Sequence, residues 1–331
     1  MGEFNGWRMP ISYSSILEES RWCRQEAALF DTCHMDQLLY RGSFERMEPF
    51  FTRKLRSAPP GKARYVLMLS NSGGILQDLL VYRLDSDALL FVLNAGSGAG
   101  VKRILGDAAP GISYPSERNA KIDLQGPRSF RVLEELFSLK FSLKPFSFTE
   151  IRLGGIPCLL SRTGYTGEPG VEIYLPPGKV PELWNKILSH PGVRTAGLGA
   201  RDLLRLEAGL VLYGSDIDER VNPFEAGLER FLDFEKDFRG KEALEDIKDK
   251  GTESVRMGLV SETRRAPRAG SGIFSGEKKV GRVTSGGFSP SLQRGIAMGY
   301  IRREYSEPGT GVTVKRSGRD CAARVSDLPL I

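Results

Sequence analysis

The chain has 331 residues, 40% hydrophobic and 27% charged, a balance that fits a folded globular protein and excludes extended disorder. Its formal charge of +6 is spread over interleaved acids and bases, so nucleic acid is not the default partner, and an acidic small molecule or protein face fits as well. No run of about 18 apolar residues occurs and residues 1–10 lack the basic and apolar segments of a signal peptide, so a soluble, unexported, cytoplasmic protein without membrane contact is expected.

The length predicts two or three domains. Residues 18–28 read as a charged helix leading into A-L-F-D, followed by a strand at 38–40 and a second helix over 44–57. Strands at 65–69 and 75–84, separated by N-S-G-G, read as a hairpin. A further strand at 89–93 brings Tyr65, Asp78 and Asn94 within reach of one another. A short helix over 100–106, a strand at 120–124 and a helix over 127–137 entered through Pro127 follow. The pattern repeats with strands at 148–153, 156–162 and 170–175, then helices over 180–189 and 200–208. Strands and helices mix without strict alternation, which favours α+β layers. From Arg256 onward short, Gly-punctuated strands take over and predict a small barrel or jelly roll. The expected organisation is an α+β region of two intertwined lobes over 1–240, a charged linker over 241–254 and a β-barrel domain over 255–331.

Cys23, Cys33, Cys158 and Cys321 are scattered without a C-x-x-C, which suits free thiols. His34 and His190 are the only histidines, so a multi-histidine metal site is excluded and no metal is expected. The chemistry must rest on carboxylates, arginines and backbone. In I-L-Q-D-L-L-V-Y, strand alternation puts Asp78 on a face with Leu76 and Leu80. Desolvation there raises a carboxyl pKa and makes a candidate proton carrier or cation stabiliser, the alternative being an aspartate at a sheet edge facing water.

The loop S-R-T-G-Y-T-G-E-P-G-V-E-I-Y-L-P runs into a strand, and Gly164, Gly167 and Gly170 permit positive φ and close approach to something flat or bulky. Two oxygens of Glu172 can accept from adjacent N–H donors of a heterocycle, with pairing to Arg201 as the alternative. In G-L-G-A-R-D-L-L-R-L-E-A-G, Arg201 and Arg205 lie four apart on one helical face, so an acid must sit against that face. Asp202 can answer Arg205 at a spacing of three, leaving Arg201 for a distant carboxylate or an anionic ligand. A salt-bridge lattice without a ligand is the alternative. His34 in F-D-T-C-H-M is expected to serve packing, and its adjacency to Cys33 does not make a catalytic pair. T-S-G-G-F-S-P-S-L is specific in composition but carries no evident chemistry.

Taken together these segments resemble the glycine cleavage system T-protein family of tetrahydrofolate-dependent aminomethyltransferases. The resemblance runs in order through F-N-G-W-R-M-P, F-D-T-C-H-M, S-N-S-G-G-I-L-Q-D-L-L-V-Y, L-N-A-G, L-Q-G-P, S-R-T-G-Y-T-G-E-P-G-V-E-I, G-L-G-A-R-D-L-L-R-L-E-A-G-L-V-L-Y-G and V-T-S-G-G-F-S-P-S-L-Q-R-G-I-A-M-G-Y-I, from Phe4 to about Gly318. It implies a three-lobed folate-binding fold of the α+β class, two α+β lobes plus a C-terminal small β-barrel, with folate in a central channel. By matching position, Asp78 is the catalytic residue, Glu172 holds the pterin edge and Arg201 contributes to folate binding. Met35, Tyr65, Tyr82, Asn94 and Tyr165 line the channel. The resemblance further implies tetrahydrofolate as cofactor and the lipoylated H-protein as partner of a protein that is monomeric alone. Its reaction moves the one-carbon unit of the aminomethyl-lipoyl group to tetrahydrofolate and releases ammonia. The alternatives are a non-catalytic folate-binding protein and a folate-dependent demethylase-like protein of the same fold. The chain departs from the family pattern at its ends, starting at Met1-Gly2-Glu3 and stopping at L-P-L-I, and an altered folate affinity is the expectation. Within the motifs, L-D-D-L becomes L-Q-D-L and F-D-V-S-H-M becomes F-D-T-C-H-M, which keeps Asp78.

Overall fold

The computed structural model describes residues 1–115, 120–140, 142–316 and 319–331, and Gly318, where the resemblance ends, lies outside the described residues. The chain opens with a two-stranded ribbon, β1 (Gly2–Phe4) and β2 (Trp7–Met9), and helix α1 (Ile16–Gln25). Next come β3 (Ala27–Asp31), β4 (Asp36–Arg41), β5 (Lys62–Leu69), β6 (Ile75–Arg83), β7 (Ala88–Leu93) and α2 (Gly98–Leu105). They are followed by β8 (Ala120–Gln125), α3 (Ser129–Phe137), β9 (Phe148–Leu153), β10 (Ile156–Ser161), β11 (Gly170–Leu175) and α4 (Val180–Leu188). Strand β12 (Val193–Ala196), α5 (Leu198–Glu207) and α6 (Lys241–Lys250) close the mixed part. The remainder is β13 (Ser254–Ser261), β14 (Gly272–Ser275), β15 (Lys278–Ser289), β16 (Arg294–Arg302), β17 (Gly311–Arg316) and β18 (Arg319–Ser326).

These strands form a six-stranded sheet ordered β12-β3-β8-β11-β10-β9, a four-stranded sheet ordered β4-β7-β6-β5, and a closed barrel β13-β16-β15-β14-β17-β18. The expected α+β class with a C-terminal barrel is what the chain adopts. Closure leaves the barrel strands no free edge.

By its internal contacts the chain divides into two compact units, residues 1–66 with 78–201, and residues 67–77 with 202–331. In the first unit, Leu29, Ile122, Leu124, Leu160, Val171 and Ile173 of the six-stranded sheet pack with Val132 and Leu133 of α3 and Leu183 and Ile187 of α4. A smaller cluster joins Tyr82, Leu90 and Val92 of the four-stranded sheet to Phe148 and Tyr174 of the six-stranded one. In the second unit, Leu259, Ile273, Val283, Ile301, Val314 and Val325 fill the barrel.

Two expectations need correction, and a third stretch has a secondary structure that the sequence reading did not assign. The helix expected over 44–57 is reduced to one 3-10 turn, Glu48–Phe50. Pro49 has no N–H to continue a helix, and the buried Glu48 carboxylate instead accepts from the Arg56 amide at 2.9 Å. The first helix ends at Gln25 because Ala27, Ala28, Leu29 and Phe30 are almost wholly buried as a strand inside the six-stranded sheet, a tertiary demand that helix periodicity does not reveal. Residues 241–250, expected as linker, are helix α6, since K-E-A-L-E-D-I-K consists of good helix formers between Gly240 and Gly251 and buries Leu244. Strand β12, four residues long, has too few positions for a periodic signal and is absent from the sequence-based expectation.

Candidate active site

Asp78 lies on β6, an interior strand of the four-stranded sheet, and shares its half-buried face with Leu76 and Leu80 as alternation requires. The register that pairs Leu79 with Leu93 sets Asn94, one residue past β7, opposite Asp78. Asn94 Nδ2 donates to Asp78 Oδ1 at 2.7 Å and the Tyr65 hydroxyl donates to Oδ2 at 2.9 Å. The expected trio is assembled, and the reading of Asp78 as a solvated edge residue is overturned. Burial raises the Asp78 pKa, and the bonds from Tyr65 and Asn94, both neutral donors, pull it back only in part. These two donors aim the carboxylate.

Glu172 stands on β11, inside the six-stranded sheet, opposite Asp123 of β8 on one side and Ser161 of β10 on the other. It is buried, and its Oε2 accepts from the hydroxyls of Tyr174 at 2.8 Å and Tyr82 at 3.1 Å. Its Oε1 lies 3.1 Å from the ammonium of Lys121, which is fully buried and donates to Asp123 Oδ1 at 2.6 Å. Arg201 Nη1 donates to the other Asp123 oxygen at 2.8 Å. The result is a chain of alternating charge, Glu172, Lys121, Asp123, Arg201. Burial alone would raise the Asp123 pKa, but Lys121 and Arg201 outweigh it and hold that carboxyl below its ordinary value. Desolvation, then the Glu172 charge, push Tyr82 and Tyr174 well above the usual phenol range, so both remain hydroxyl donors.

One alternative from the sequence falls here. Arg201 does not pair with Glu172; its carboxylate is Asp123, which the sequence reading passed over together with Lys121. The available signal was K-I-D-L, whose two charges fall on one face of an otherwise apolar strand. Tyr82, expected to line a channel, is fully buried, and its hydroxyl is shared between Glu172 and Thr163.

Arg201, Met35 and Tyr165 do converge. The Arg201 guanidinium lies 4.9 Å from the Tyr165 ring centroid, and its Nη2 is 3.9 Å from the Met35 sulfur. The helix carrying Arg201 is fixed at its start by Gly197, whose amide donates to Glu19 Oε2 at 2.9 Å, and a Cβ there would sit 2.5 Å from the Ile11 carbonyl oxygen. Beside Met35, His34 is buried edge-on to Phe4, and its Nδ1 has no hydrogen-bond partner among the described residues. Burial, then the charges of Arg201 and Lys121, push the His34 pKa down to about 4, while burial and Asp31 push the Cys33 thiol up to about 12. Neither neighbour can pass a proton to the other near neutral pH, in keeping with the sequence reading.

The glycines of the 161–176 loop approach a side chain of the protein itself. A Cβ at Gly164 or Gly170 would collide with the Gln125 amide, at 2.0 and 2.6 Å, whose Nε2 donates to the carbonyls of Thr163 and Val171. The L-Q-G-P and T-G-Y-T-G motifs are therefore one interlocking piece that presents Tyr165.

The second unit holds two further arrays. Arg205, 1% exposed, donates to Asp202 at 2.8 Å, Asp216 at 2.5 Å, the Leu210 carbonyl at 3.2 Å and the Ser285 hydroxyl at 2.8 Å. Thr284 and Ser285, from the segment without evident chemistry, both donate to Asp216. On the barrel, a cavity of about 610 Å³ is lined by Arg264, Arg265, Arg268 and Arg316 together with Phe288 and Cys321. Among the described residues none of these four guanidiniums has a carboxylate partner. Nor is any group of three or more His, Cys, Asp or Glu among them placed to hold a metal ion. No helix among them is long and apolar enough to cross a membrane.

The chain is similar to known proteins over nearly its whole length. Residues 1–236 match the family model described as GCVT N-terminal domain, and residues 255–331 match the glycine cleavage T-protein C-terminal barrel domain. An aminomethyltransferase of Halothermothrix orenii is 40% identical, the match covering 99% of this chain and 95% of that protein. One of Moorella thermoacetica is 38% identical, covering 99% and 93%. The crystal structure of glycine cleavage system aminomethyltransferase T from Bartonella henselae superposes with a TM-score of 0.93 at 35% identity, over 100% of this chain and 93% of that one.

Proposed function

The chain belongs to the glycine cleavage T-protein family, and on that premise we propose that it transfers the one-carbon unit of an aminomethyl-lipoyl H-protein to tetrahydrofolate. The observation that carries this reading is Asp78, a half-buried carboxylate held by two neutral donors. Such a group orients a reacting amine and stabilises the positive charge that develops on it as ammonia leaves.

The residues present fit a folate. Glu172 is a carboxylate whose Oε1 meets a single donor among the described residues, Lys121, and so has capacity for an N–H of a flat heterocycle. Tyr165 and Met35 offer a ring face and a soft thioether. Arg201 spends one hydrogen bond on an oxygen, Asp123, and has further N–H donors for a polar ligand group. The buried His34 Nδ1 beside Met35, without a hydrogen-bond partner among the described residues, is a polar atom that a bound ligand can satisfy. Tetrahydrofolate, when bound, supplies the nitrogen that receives the one-carbon unit. The chain's own part is to position that ring with Glu172 and Arg201 and to steady the departing amine with Asp78.

The barrel cavity supports an acidic protein partner. Four arginines without carboxylate partners among the described residues, set around one recess, attract a negatively charged face, and this favours the H-protein as carrier. The alternative, a non-catalytic folate binder, gives no reason for a desolvated, pre-aimed Asp78. The test is ammonia release from aminomethylated H-protein with tetrahydrofolate. Asp78→Asn is expected to lower kcat by a factor on the order of 10²–10⁴, and unchanged turnover removes Asp78 from the reaction.

A further inference from the structure

Lys121 has its whole side chain out of water. An ammonium ion survives there only if its charge and all three N–H groups are answered. They are: Asp123 Oδ1 lies at 2.6 Å, Glu172 Oε1 at 3.1 Å and Thr32 Oγ1 at 3.2 Å. Thr32 in turn donates to the same Asp123 oxygen at 2.9 Å. The groups around Glu172 come from several elements: Tyr82 of β6, Tyr174 of β11 itself, and Lys121 and Asp123 of β8. Arg201 of α5 is linked through Asp123, Thr163 through Tyr82, and His34 feels the charges of Lys121, Asp123 and Arg201. Of these, Lys121 is the cation that touches Glu172; the two tyrosines are neutral donors.

We propose that Lys121 is a positioning residue for ligand recognition: with Asp123 it ties Glu172 to Arg201 and supplies the counter-charge of the Glu172 carboxylate, so that it can accept from N–H donors of a flat heterocycle. The proposal rests on the folate reading above. A buried carboxylate deprived of its counter-cation takes up a proton, and a protonated carboxyl turns one acceptor into a donor. Glu172 would then repel the N–H groups it is placed to receive. A lysine that served stability alone would change the melting temperature and leave the pH profile of binding unmoved.

Calorimetric titration with tetrahydrofolate at about pH 8 and about pH 6 decides. The wild-type protein is expected to bind equally at both. Lys121→Gln is expected to bind on the order of tenfold more weakly at the lower pH, and Lys121→Arg to restore the flat profile. A folded Lys121→Gln protein with wild-type affinity, or with the same loss at both pH values, overturns the proposal while leaving the folate reading intact. Absence of folate binding by the wild-type protein overturns that reading and the proposal with it. Should Lys121→Gln not fold, wild-type titrations in buffers of different ionisation enthalpy carry the test. Binding without proton uptake is expected, and uptake of a proton with each folate means that Glu172 enters the complex protonated and the proposal fails.

Discussion

Arg201 and Arg205 stand four residues apart on one helix, yet their surroundings differ in kind. Arg205, in the second unit, donates to two carboxylates, a carbonyl and a hydroxyl, and its partner Asp216 also accepts from Thr284, Ser285 and the Leu212 amide. Arg201, in the first unit, has one carboxylate oxygen, then a thioether and the face of a tyrosine. The lesson is that two buried arginines of one helix can be answered in different ways: Arg205 is saturated with oxygen acceptors, whereas Arg201 has soft neighbours and, in the function proposed above, donors for a ligand. The salt bridges that the sequence offered as an alternative are present at both arginines, Arg205 with Asp202 and Asp216, Arg201 with Asp123.

The largest expected effect tests the saturated member. Arg205→Met leaves Asp216 buried without its cation and should cost about 3–5 kcal/mol in urea-induced unfolding. A loss near zero would mean that the lattice carries no weight and that the contrast is only one of appearance. Next comes His34, whose titration is tied to the charges near Arg201. Its pKa falls from the ordinary imidazole value of 6.5 to about 4 in the fold, so the unfolded chain binds more protons between those values. Stability should therefore be fully present above about pH 6.5 and decline as pH falls toward 4, by up to about 3 kcal/mol. Unfolding measured at about pH 7 and about pH 4.5 should show a shallower decline for His34→Leu than for wild type; equal slopes would assign that window to other groups.

Arg201→Met sharpens the contrast from the other side. Asp123 retains Lys121 and Thr32, so the stability loss should be smaller than for Arg205→Met, while tetrahydrofolate affinity should drop on the order of 30-fold, about 2 kcal/mol. The opposite ranking, large destabilisation with intact folate binding, would reverse the two assignments. The smallest effect concerns the exposed arginines that share a unit with Arg205. Arg268→Glu should raise the KM for the H-protein by roughly threefold to tenfold, more at low salt, without altering folate affinity. A change in folate affinity instead would move that cavity from partner to ligand.

How much was legible depended on how local each determinant is. Strand alternation put Asp78 with Leu76 and Leu80, and adjacent strands in chain order brought Tyr65 and Asn94 to it. Glycine punctuation marked the change to barrel strands within a few residues of their start at Ser254. The 44–57 helix failed because Pro49 and the Glu48 carboxylate acted against a periodicity that looked helical. Asp123 is 78 positions from Arg201, and Ser285 is 69 from Asp216, so no window on the chain contains either pair.

The order of residues by itself determined the elements, the α+β region before the barrel and the face on which each charge lies, because periods of 2 and 3.6 are properties of neighbouring residues. Only the tertiary structure decided which acid answers which arginine, that Tyr82 donates to Glu172 and that Lys121 links Glu172 to Asp123 and, through it, to Arg201. A buried charge is compensated by whatever strands and helices meet around it, and that meeting is set by packing across the whole unit.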